Sequence, residues 1–203
     1  MFIQSYCSNG DKLLRTLKGP RNKMKSVIKE LTKRSDITKF LGDLLIRTRL
    51  TGIGKHYASE VTLDYGCGKE KTKRVDFMEF CPANTYSISG IEKGEFVCYE
   101  VKSCIADVFS GNGLNLEGER NYIVTTMDTW KKLIELEHKN QKTIPYEFGV
   151  MVACYKEVTS EFDSPTPLIP SDEWRLEVVK PAHRKARKRS ITELLFCMLR
   201  SGR

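Results

Sequence analysis

Two short stretches near the middle of the chain decide the fold, Arg74-Val75-Asp76-Phe77 and Phe96-Val97-Cys98-Tyr99-Glu100-Val101-Lys102. Both are rich in β-branched and aromatic residues, a composition that predicts strands that are mostly buried. Each stretch also carries a carboxylate, Asp76 or Glu100, where an apolar residue would cost less. A buried carboxylate costs several kcal/mol unless it is paired or holds a metal ion. The two stretches therefore predict a functional site as well as a core.

Hydrophobic patterning outward from these stretches predicts an α/β chain. A first helix is expected over residues 37–49, capped by Asp36 and ended by Gly52 and Gly54. The other expected elements, in chain order, are strands at 59–65, 74–80, 96–103 and 121–125, a helix at 128–139, strands at 148–155 and 174–180, and a helix at 191–199. The first three strands predict an antiparallel meander, and strand 148–155 is apolar enough to be buried on both faces. This order predicts a mixed sheet flanked by helices.

The chain divides into two expected parts. Residues 1–35 are rich in lysine and predict a basic helical N-terminal arm, whereas residues 36–203 predict the core, which ends in a basic C-terminal helix. The chain has 203 residues, of which 40% are hydrophobic and 30% charged, a balance typical of a packed domain. No uninterrupted run of about 18 apolar residues occurs, so no membrane span is expected. The N-terminus lacks the features of a signal peptide, and a cytoplasmic location is expected.

The net charge indicates the class of partner, and the cysteine pattern indicates the state of the cysteines. The formal net charge of +8 favours nucleic acid as the partner, although a basic surface can also serve solubility alone. The seven cysteines are odd in number and scattered, which argues against a disulfide scaffold. No Cys-x-x-Cys pair is present, and the three histidines lie far apart in sequence, so zinc is not expected. Reduced cysteines that fill the core are the expected state.

The carboxylates and the lysine of the two central strands have the chemistry of phosphodiester hydrolysis. Glu100 and Lys102 are two residues apart on a strand, so their side chains are expected on one face. Asp76 and Glu100 are hard ligands for Mg²⁺ or Mn²⁺ if their strands are adjacent, and the carbonyl of Val101 is a third candidate ligand. Lys102 would then orient the attacking water or offset charge. A structural ion pair between Glu100 and Lys102 is the simpler alternative, but it leaves Asp76 unexplained.

These residues resemble the D…ExK motif of the PD-(D/E)xK nuclease superfamily, carried here by Asp76 and by Glu100-Val101-Lys102. The resemblance covers roughly residues 36–180 and implies the restriction-endonuclease-like fold. Longer runs resemble small nuclease-like proteins of phages and prophages of Gram-positive bacteria, and related DNA-repair proteins: Ala106-Asp107-Val108-Phe109, Asn121-Tyr122-Ile123-Val124-Thr125 and Glu193-Leu194-Leu195.

The chain departs from the family pattern in two ways. Val75 stands where many members have proline before the first catalytic aspartate. The family often has a further acidic residue, for which Asp43 and Glu60 are both candidates; Glu60 is favoured because it lies on the strand expected to pair with the strand of Asp76. Glu79 is excluded, because three residues along a strand from Asp76 its side chain should face the other way.

The densest charge run of the chain is His183-Arg184-Lys185-Ala186-Arg187-Lys188-Arg189. Five of its residues form the predicted DNA-phosphate contact: Arg184, Lys185, Arg187, Lys188 and Arg189. A solvated link before the last helix is the alternative reading of this run. If the run does not touch phosphate, the loop with Lys69, Lys71, Lys73 and Arg74 is the alternative contact surface.

The expected function is therefore a Mg²⁺- or Mn²⁺-dependent deoxyribonuclease, encoded by a phage or prophage and using Asp76, Glu100 and Lys102 with Glu60. Two alternatives share the fold: a DNA-binding module without catalysis, and a phage protein that inhibits a host factor. DNA is the expected partner, and the sequence leaves open whether the chain forms a homodimer. It also leaves open the strand state of the DNA and whether cutting is at ends or internal.

Overall fold

The described part of the chain is built around one six-stranded sheet in the order β1-β2-β3-β4-β5-β6. A computed structural model describes residues 29–63, 72–84, 87–111, 113–155 and 167–201. The strands are β1 (His56–Leu63), β2 (Lys73–Cys81), β3 (Glu95–Val101), β4 (Arg120–Thr126), β5 (Phe148–Tyr155) and β6 (Trp174–Lys180). The helices are α1 (Arg34–Leu45), α2 (Ile88–Glu92), α3 (Ile105–Val108), α4 (Met127–His138) and α5 (Ile191–Arg200). The predicted α/β class is confirmed.

The sheet is mixed, as the order of elements predicts. Strands β1, β2 and β3 pair antiparallel, which confirms the meander. Strand β4 pairs in parallel with both β3 and β5, and β6 returns antiparallel to β5. All six predicted strands overlap observed strands, and β5 is buried on both faces along most of its length. The carboxyl ends of β3, β4 and β5 therefore lie at the same edge of the sheet, where the motif residues also lie.

Helices cover both faces of the sheet. Helix α1 places Leu41, Leu44 and Leu45 against a buried cluster on one face, and burial of each such side chain contributes about 1.5–3 kcal/mol. The sheet residues of this cluster are Val97, Tyr99, Val101, Val124, Met151, Ala153, Trp174 and Leu176. On the other face, α5 packs over β1 to β3, and α4 packs over β4 and β5.

The start and end of the first helix differ from the prediction. Lys33 occupies the N-cap position, and Asp36 lies inside the first turn, where its charge favours the helix N-terminus without capping it. The helix continues as a π-helical turn, Ile46–Leu50. The end is set by Thr51, whose backbone N–H and hydroxyl both donate to the carbonyl of Ile46, at 3.0 and 2.9 Å. Asp36 is therefore not the cap, and Gly52 lies beyond the end of the helix.

Two short helices were not predicted. Helix α2 lies in the segment expected to be a polar connection, and Ser87 caps it by accepting a bond from the N–H of Gly90. Helix α3 directly follows the Glu100–Lys102 motif. Each is too short for helical periodicity to appear in the sequence. The predicted N-terminal arm falls mainly on residues 1–28, which lie outside the described residues.

Membrane-spanning character was searched for in the described segments. None of their helices is long and apolar enough to cross a bilayer.

Candidate catalytic and metal-binding site

The predicted site lies where β2 and β3 separate. Regular pairing of the two strands runs from Cys81↔Glu95 to Phe77↔Tyr99. One residue beyond that last pair, the Asp76 carboxylate accepts a 2.8 Å hydrogen bond from the backbone N–H of Val101. A side chain thus takes the place of a ladder bond, and it ties β2 to the residue between Glu100 and Lys102. The prediction that the strands of Asp76 and Glu100 are adjacent is confirmed.

Glu100 is the most unusual group of the site. Its side chain is 1% exposed, and neither carboxylate oxygen has a hydrogen-bond partner among the described residues. Burial, followed by the nearby Asp76 carboxylate, raises the pKa of Glu100 from 4.5 to about 9, whereas Lys102 and Arg74 act in the opposite direction. Lys102 is the stronger of these two cations, so the simpler alternative of a structural ion pair between Glu100 and Lys102 stays open.

Gly113 covers the Glu100–Lys102 pair. A Cβ placed on Gly113 would lie 2.7 Å from Glu100 Oε2 and 2.9 Å from Lys102 Nζ. Both distances are too short for a real side chain, and the backbone of Gly113 has a φ of 80°, which also favours glycine. The carboxylate oxygen and the ammonium group therefore lie close together under one glycine.

A cavity of about 910 Å³ opens from this pair. Helix α1 forms one wall, and the loop around Gly113 forms another. Asp76, Glu100, Val101 and Lys102 all line it. The remaining lining residues are Thr38, Lys39, Gly42, Asp43, Ile46, Glu60, Thr72, Lys73, Arg74, Phe77, Asp107, Gly111 and Asn115. The sequence-predicted catalytic and metal-binding residues are thus brought to one cavity.

Asp43 and Glu60, the two candidates for the further acidic residue, both reach this cavity. Glu60 lies between the pairs Ser59↔Phe77 and Val61↔Val75, opposite Asp76, and it has a φ of 54°. Its carboxylate makes a 2.8 Å ion pair with Arg74. A positive φ is rare for a residue with a side chain and is found at functional sites, where surrounding structure holds it. This strain adds to the reasons for favouring Glu60, while Asp43 stays an alternative.

The donor set of the cavity suits a hard divalent cation. Two carboxylates and a backbone carbonyl are oxygen ligands, and Mg²⁺ characteristically takes one or two carboxylates and keeps several waters. Across the described ranges, no group of three or more His, Cys, Asp or Glu side chains is arranged to hold a metal ion. The orphaned oxygens of Glu100 and the space that a Cβ on Gly113 would fill are the features that fit a cation here.

Glu79, which alternation excluded, lies apart from this cavity. Its side chain is also buried, at 3% exposure, but it has partners. The hydroxyl of Tyr99 donates to it at 2.8 Å, and Lys55 Nζ lies at 2.6 Å. Glu79 and Glu100 are thus buried on neighbouring strands, but of the two only the Glu79 carboxylate has hydrogen-bond partners among the described residues.

The basic run before α5 is largely bonded to acidic and carbonyl groups. Arg187 pairs with Glu119, Arg189 pairs with Glu117 at 3.1 Å, and Arg184 pairs with Glu95 at 2.7 Å. Lys185 donates to the carbonyl of Leu116 at 3.1 Å, whereas Lys188 is exposed. Glu117 and Glu119 are themselves buried, so Arg187 and Arg189 neutralise carboxylates under the sheet. These two arginines therefore have a structural role that the sequence did not indicate.

The beginning of the run lies away from the D…ExK motif. Glu95, the partner of Arg184, begins β3, and Glu100 comes five residues later, about 16 Å along the strand. Phosphate binding by the run stays a prediction. In the alternative surface, Lys73 and Arg74 line the cavity, whereas Lys69 and Lys71 lie outside the described residues.

Two polar residues after the motif act as local bonding groups. Asp107 accepts from the N–H of Ser103 at 3.3 Å and pairs with Arg34 at 3.3 Å, so it joins the start of α1 to α3. Asn115 donates to the carbonyl of Arg74 at 3.0 Å, which ties the Gly113 loop to β2 beside Asp76. Both support the shape of the cavity.

Comparison with known proteins adds no relative. No protein-family model matches the chain, no curated protein matches it, and no solved structure matches it. The α/β class with a six-stranded mixed sheet follows from the structure, and the similarity to the PD-(D/E)xK nucleases stays a prediction from the motif.

Proposed function

We propose that this protein is a metal-dependent nuclease that hydrolyses phosphodiester bonds of DNA. The observation that carries the proposal is Glu100, a fully buried carboxylate whose two oxygens have no hydrogen-bond partner among the described residues. A buried carboxyl group without a partner is costly, and such groups are retained where they serve chemistry. Asp76 and Lys102 lie beside it in the same cavity.

The carboxylates of Asp76 and Glu100, with the carbonyl of Val101, would hold the cation, Mg²⁺ or Mn²⁺. Such an ion, when bound, offsets negative charge on the phosphate and lowers the pKa of a bound water. The chain supports this use by holding Asp76 on the N–H of Val101, so that one ligand is fixed before binding. The Asp76 carboxylate raises the pKa of Glu100, and a bound cation would offset that repulsion.

The basic side chains of the cavity would bind and orient the substrate. Lys102 lies next to Glu100 under Gly113, where it would position the attacking water or offset charge on the scissile phosphate. Lys39, Lys73 and Arg74 line the walls and would contact neighbouring phosphates. Glu60, paired with Arg74 at 2.8 Å, would set the direction of that guanidinium and is the proposed additional acidic residue.

The restriction-endonuclease-like arrangement is part of this proposal. A helix before an antiparallel meander, followed by a parallel strand, a helix and another parallel strand, supports it. Fold alone does not establish activity, so the proposal depends on the site.

The decisive experiment compares cleavage of single-stranded, double-stranded and branched DNA with Mg²⁺, with Mn²⁺ and with chelator. Asp76→Ala is the matched control, prepared in the same way to exclude a contaminating nuclease. We expect metal-dependent cleavage by the natural chain and none by the variant. DNA binding without cleavage, unchanged in the variant, would favour the non-catalytic DNA-binding module. No binding at low salt would favour the interaction protein.

A further inference from the structure

Thr125 is a buried hydroxyl next to the proposed catalytic lysine. It lies on β4, is 0% exposed, and donates a 2.6 Å hydrogen bond to the backbone carbonyl of Lys102. Ile123 and Val124, the residues before it, are apolar and fully buried. Valine would fill nearly the same volume in such a strand without burying a hydroxyl. A buried hydroxyl is costly unless it is bonded, so this bond to Lys102 accounts for a threonine here.

Lys102 needs an anchor because it lies just beyond the end of its strand. The parallel pairing of β3 with β4 ends at Val101↔Val124. The N–H of Lys102 donates to the carbonyl of Val124 at 2.9 Å, and the hydroxyl of Thr125 bonds the carbonyl of Lys102. Two successive residues of β4 thus hold the backbone of Lys102 on both sides. This fixes the point from which the side chain reaches under Gly113.

We propose that Thr125 is a positioning residue that acts through the backbone of Lys102 in the hydrolysis. The inference rests on the proposed function for its catalytic consequence, whereas the placement of Lys102 can be measured without it. Thr125 itself touches neither substrate nor metal. A displacement of about 1 Å in a catalytic group can cost 10²-fold in rate, so loss of one backbone bond is enough to matter.

The test compares Thr125→Val with Thr125→Ser and with Thr126→Val. Valine removes the donor of the bond to the carbonyl of Lys102, whereas serine keeps the hydroxyl. Thr126 is the matched control: it is also buried on β4, but its hydroxyl accepts a bond from the N–H of Thr129 at the start of α4. Its loss removes the side-chain cap of α4 and should lower the melting midpoint.

Two readouts are needed: steady-state cleavage with Mg²⁺, and the rate at which an amine-acylating reagent labels Lys102, followed by peptide mass spectrometry. We expect Thr125→Val to lower kcat by roughly 10- to 100-fold with KM nearly unchanged. In this variant the reagent should also label Lys102 faster than it does in the natural chain. Thr125→Ser should restore both values, and Thr126→Val should lower the melting midpoint while leaving both near those of the natural chain.

The two readouts separate failure of the inference from failure of the proposed function. If Thr125→Val and Thr126→Val behave alike in kcat and in labelling, the positioning role is wrong. If the natural chain does not cleave DNA, the proposed function fails, and labelling alone decides whether Thr125 places Lys102. If Thr125→Val does not fold, Thr125→Cys, which has a similar volume and a weaker donor, replaces it. Its Lys102 should be labelled faster than that of Thr125→Ser.

Discussion

The carboxylate of Asp76 accepts a 2.8 Å hydrogen bond from the backbone N–H of Val101, the residue between Glu100 and Lys102. This bond fixes a residue of β2 beside the end of β3, where the two strands no longer pair regularly. It holds the Asp76 carboxylate next to the buried carboxyl group of Glu100. The Asp76 carboxylate is, after burial, the largest cause of the raised pKa of Glu100. A divalent cation would relieve both effects.

Substitution of Asp76 separates its charge from its hydrogen bond. Asp76→Asn keeps an acceptor for the N–H of Val101 but loses the charge, so it should fold normally and bind Mg²⁺ more than about tenfold more weakly, since even residues beyond the ligands cost 10- to 100-fold. Asp76→Ala loses both and should also lower the free energy of unfolding by about 1.5–3 kcal/mol. Calorimetric titration with Mg²⁺ and urea unfolding measure the two effects. Equal stability of the two variants would contradict the role of the hydrogen bond.

Glu100 should make stability fall as pH rises. Its pKa is raised from 4.5 to about 9 in the folded chain, chiefly by burial, so between these values the folded state holds a proton that the unfolded state has released. The contribution of Glu100 to stability is therefore fully present below pH 4.5 and is lost as pH rises toward 9. Glu100→Gln cannot ionise, and its melting midpoint should exceed that of the natural chain increasingly across this window. A difference of about 2–4 °C corresponds to about 1 kcal/mol in a chain of this size.

Glu79 supplies the control for that measurement. It is a buried glutamate on the neighbouring strand, but Tyr99 and Lys55 bond its carboxylate. Glu79→Gln should lower the melting midpoint at neutral pH, because it weakens charge-assisted bonds. If both glutamine variants shift the midpoint in the same direction at pH 8, the unpaired state assigned to Glu100 is wrong.

Lys102→Ala should retain the metal and lose most of the turnover, because it removes a positioning group and not a ligand. Cleavage should fall by roughly 10²-fold or more, as for loss of a general acid or base, while the Kd for Mg²⁺ changes little. Lys132→Ala, at an exposed lysine of α4, serves as the control. A variant that loses the metal while its cleavage rate is unchanged would show that the role given to Lys102 is mistaken.

The basic run before α5 should divide into structural and exposed residues. Arg187→Gln leaves Glu119 buried without the Arg187 guanidinium and should destabilise the fold by roughly 3 kcal/mol. Arg189→Gln leaves Glu117 paired with Lys73 at 3.2 Å and should destabilise it less. Arg184→Gln and Lys188→Gln remove exposed charges and should leave the melting midpoint near that of the natural chain. Thermal unfolding of the four variants checks the division, and equal destabilisation by all four would contradict it.

DNA affinity can then be tested without disturbing the fold. If the run binds phosphate, the double variant of Arg184 and Lys188 should weaken binding to all sequences alike. Each lost phosphate contact should lower the slope of log K against log salt by about 0.9 on duplex DNA or about 0.7 on single strands. Fluorescence anisotropy from low to moderate salt measures that slope. An unchanged slope would leave Lys39, Lys73 and Arg74, around the cavity, as the contact surface.

Periodicity predicted the larger elements because each is long enough to show a pattern. Strand β5 and strand β6 begin and end where the apolar runs do. The short helices α2 and α3 were missed, since four or five residues show no period. The cap of α1 was misplaced because Asp36 is a favourable residue both as a cap and within the first turn, and the backbone of Lys33 decides between the two.

The site was predictable in part for a similar reason. Acidic residues on apolar strands are visible in a sequence, and so is the two-residue spacing of Glu100 and Lys102. Contacts between distant segments are not visible: the pairing of Arg187 and Arg189 with Glu119 and Glu117 joins residues 68 and 72 positions apart. A run of basic residues has the same sequence pattern whether its side chains face solvent or a buried carboxylate. Thr125 was likewise seen only as part of an apolar strand.

Gly113 provides the sharpest test of the cavity, because Gly111 supplies a control with the same backbone strain. The two glycines have φ values of 80° and 76°, so alanine at either position carries a similar conformational cost, about 1 kcal/mol. They differ in what a Cβ would meet. At Gly113 it would lie 2.7 Å from Glu100 Oε2 and 2.9 Å from Lys102 Nζ, whereas at Gly111 nothing lies within 4 Å.

Gly113→Ala should therefore displace the Glu100–Lys102 pair, weaken Mg²⁺ binding by more than about tenfold, and abolish cleavage. Gly111→Ala should lose a similar amount of stability and keep both metal binding and cleavage. Calorimetric titration with Mg²⁺, urea unfolding and the cleavage assay measure the three quantities on each variant. Because the strain is matched, any excess loss in Gly113→Ala reports the contact with Glu100 and Lys102. Equal metal affinity in the two variants would show that the cation does not lie under Gly113.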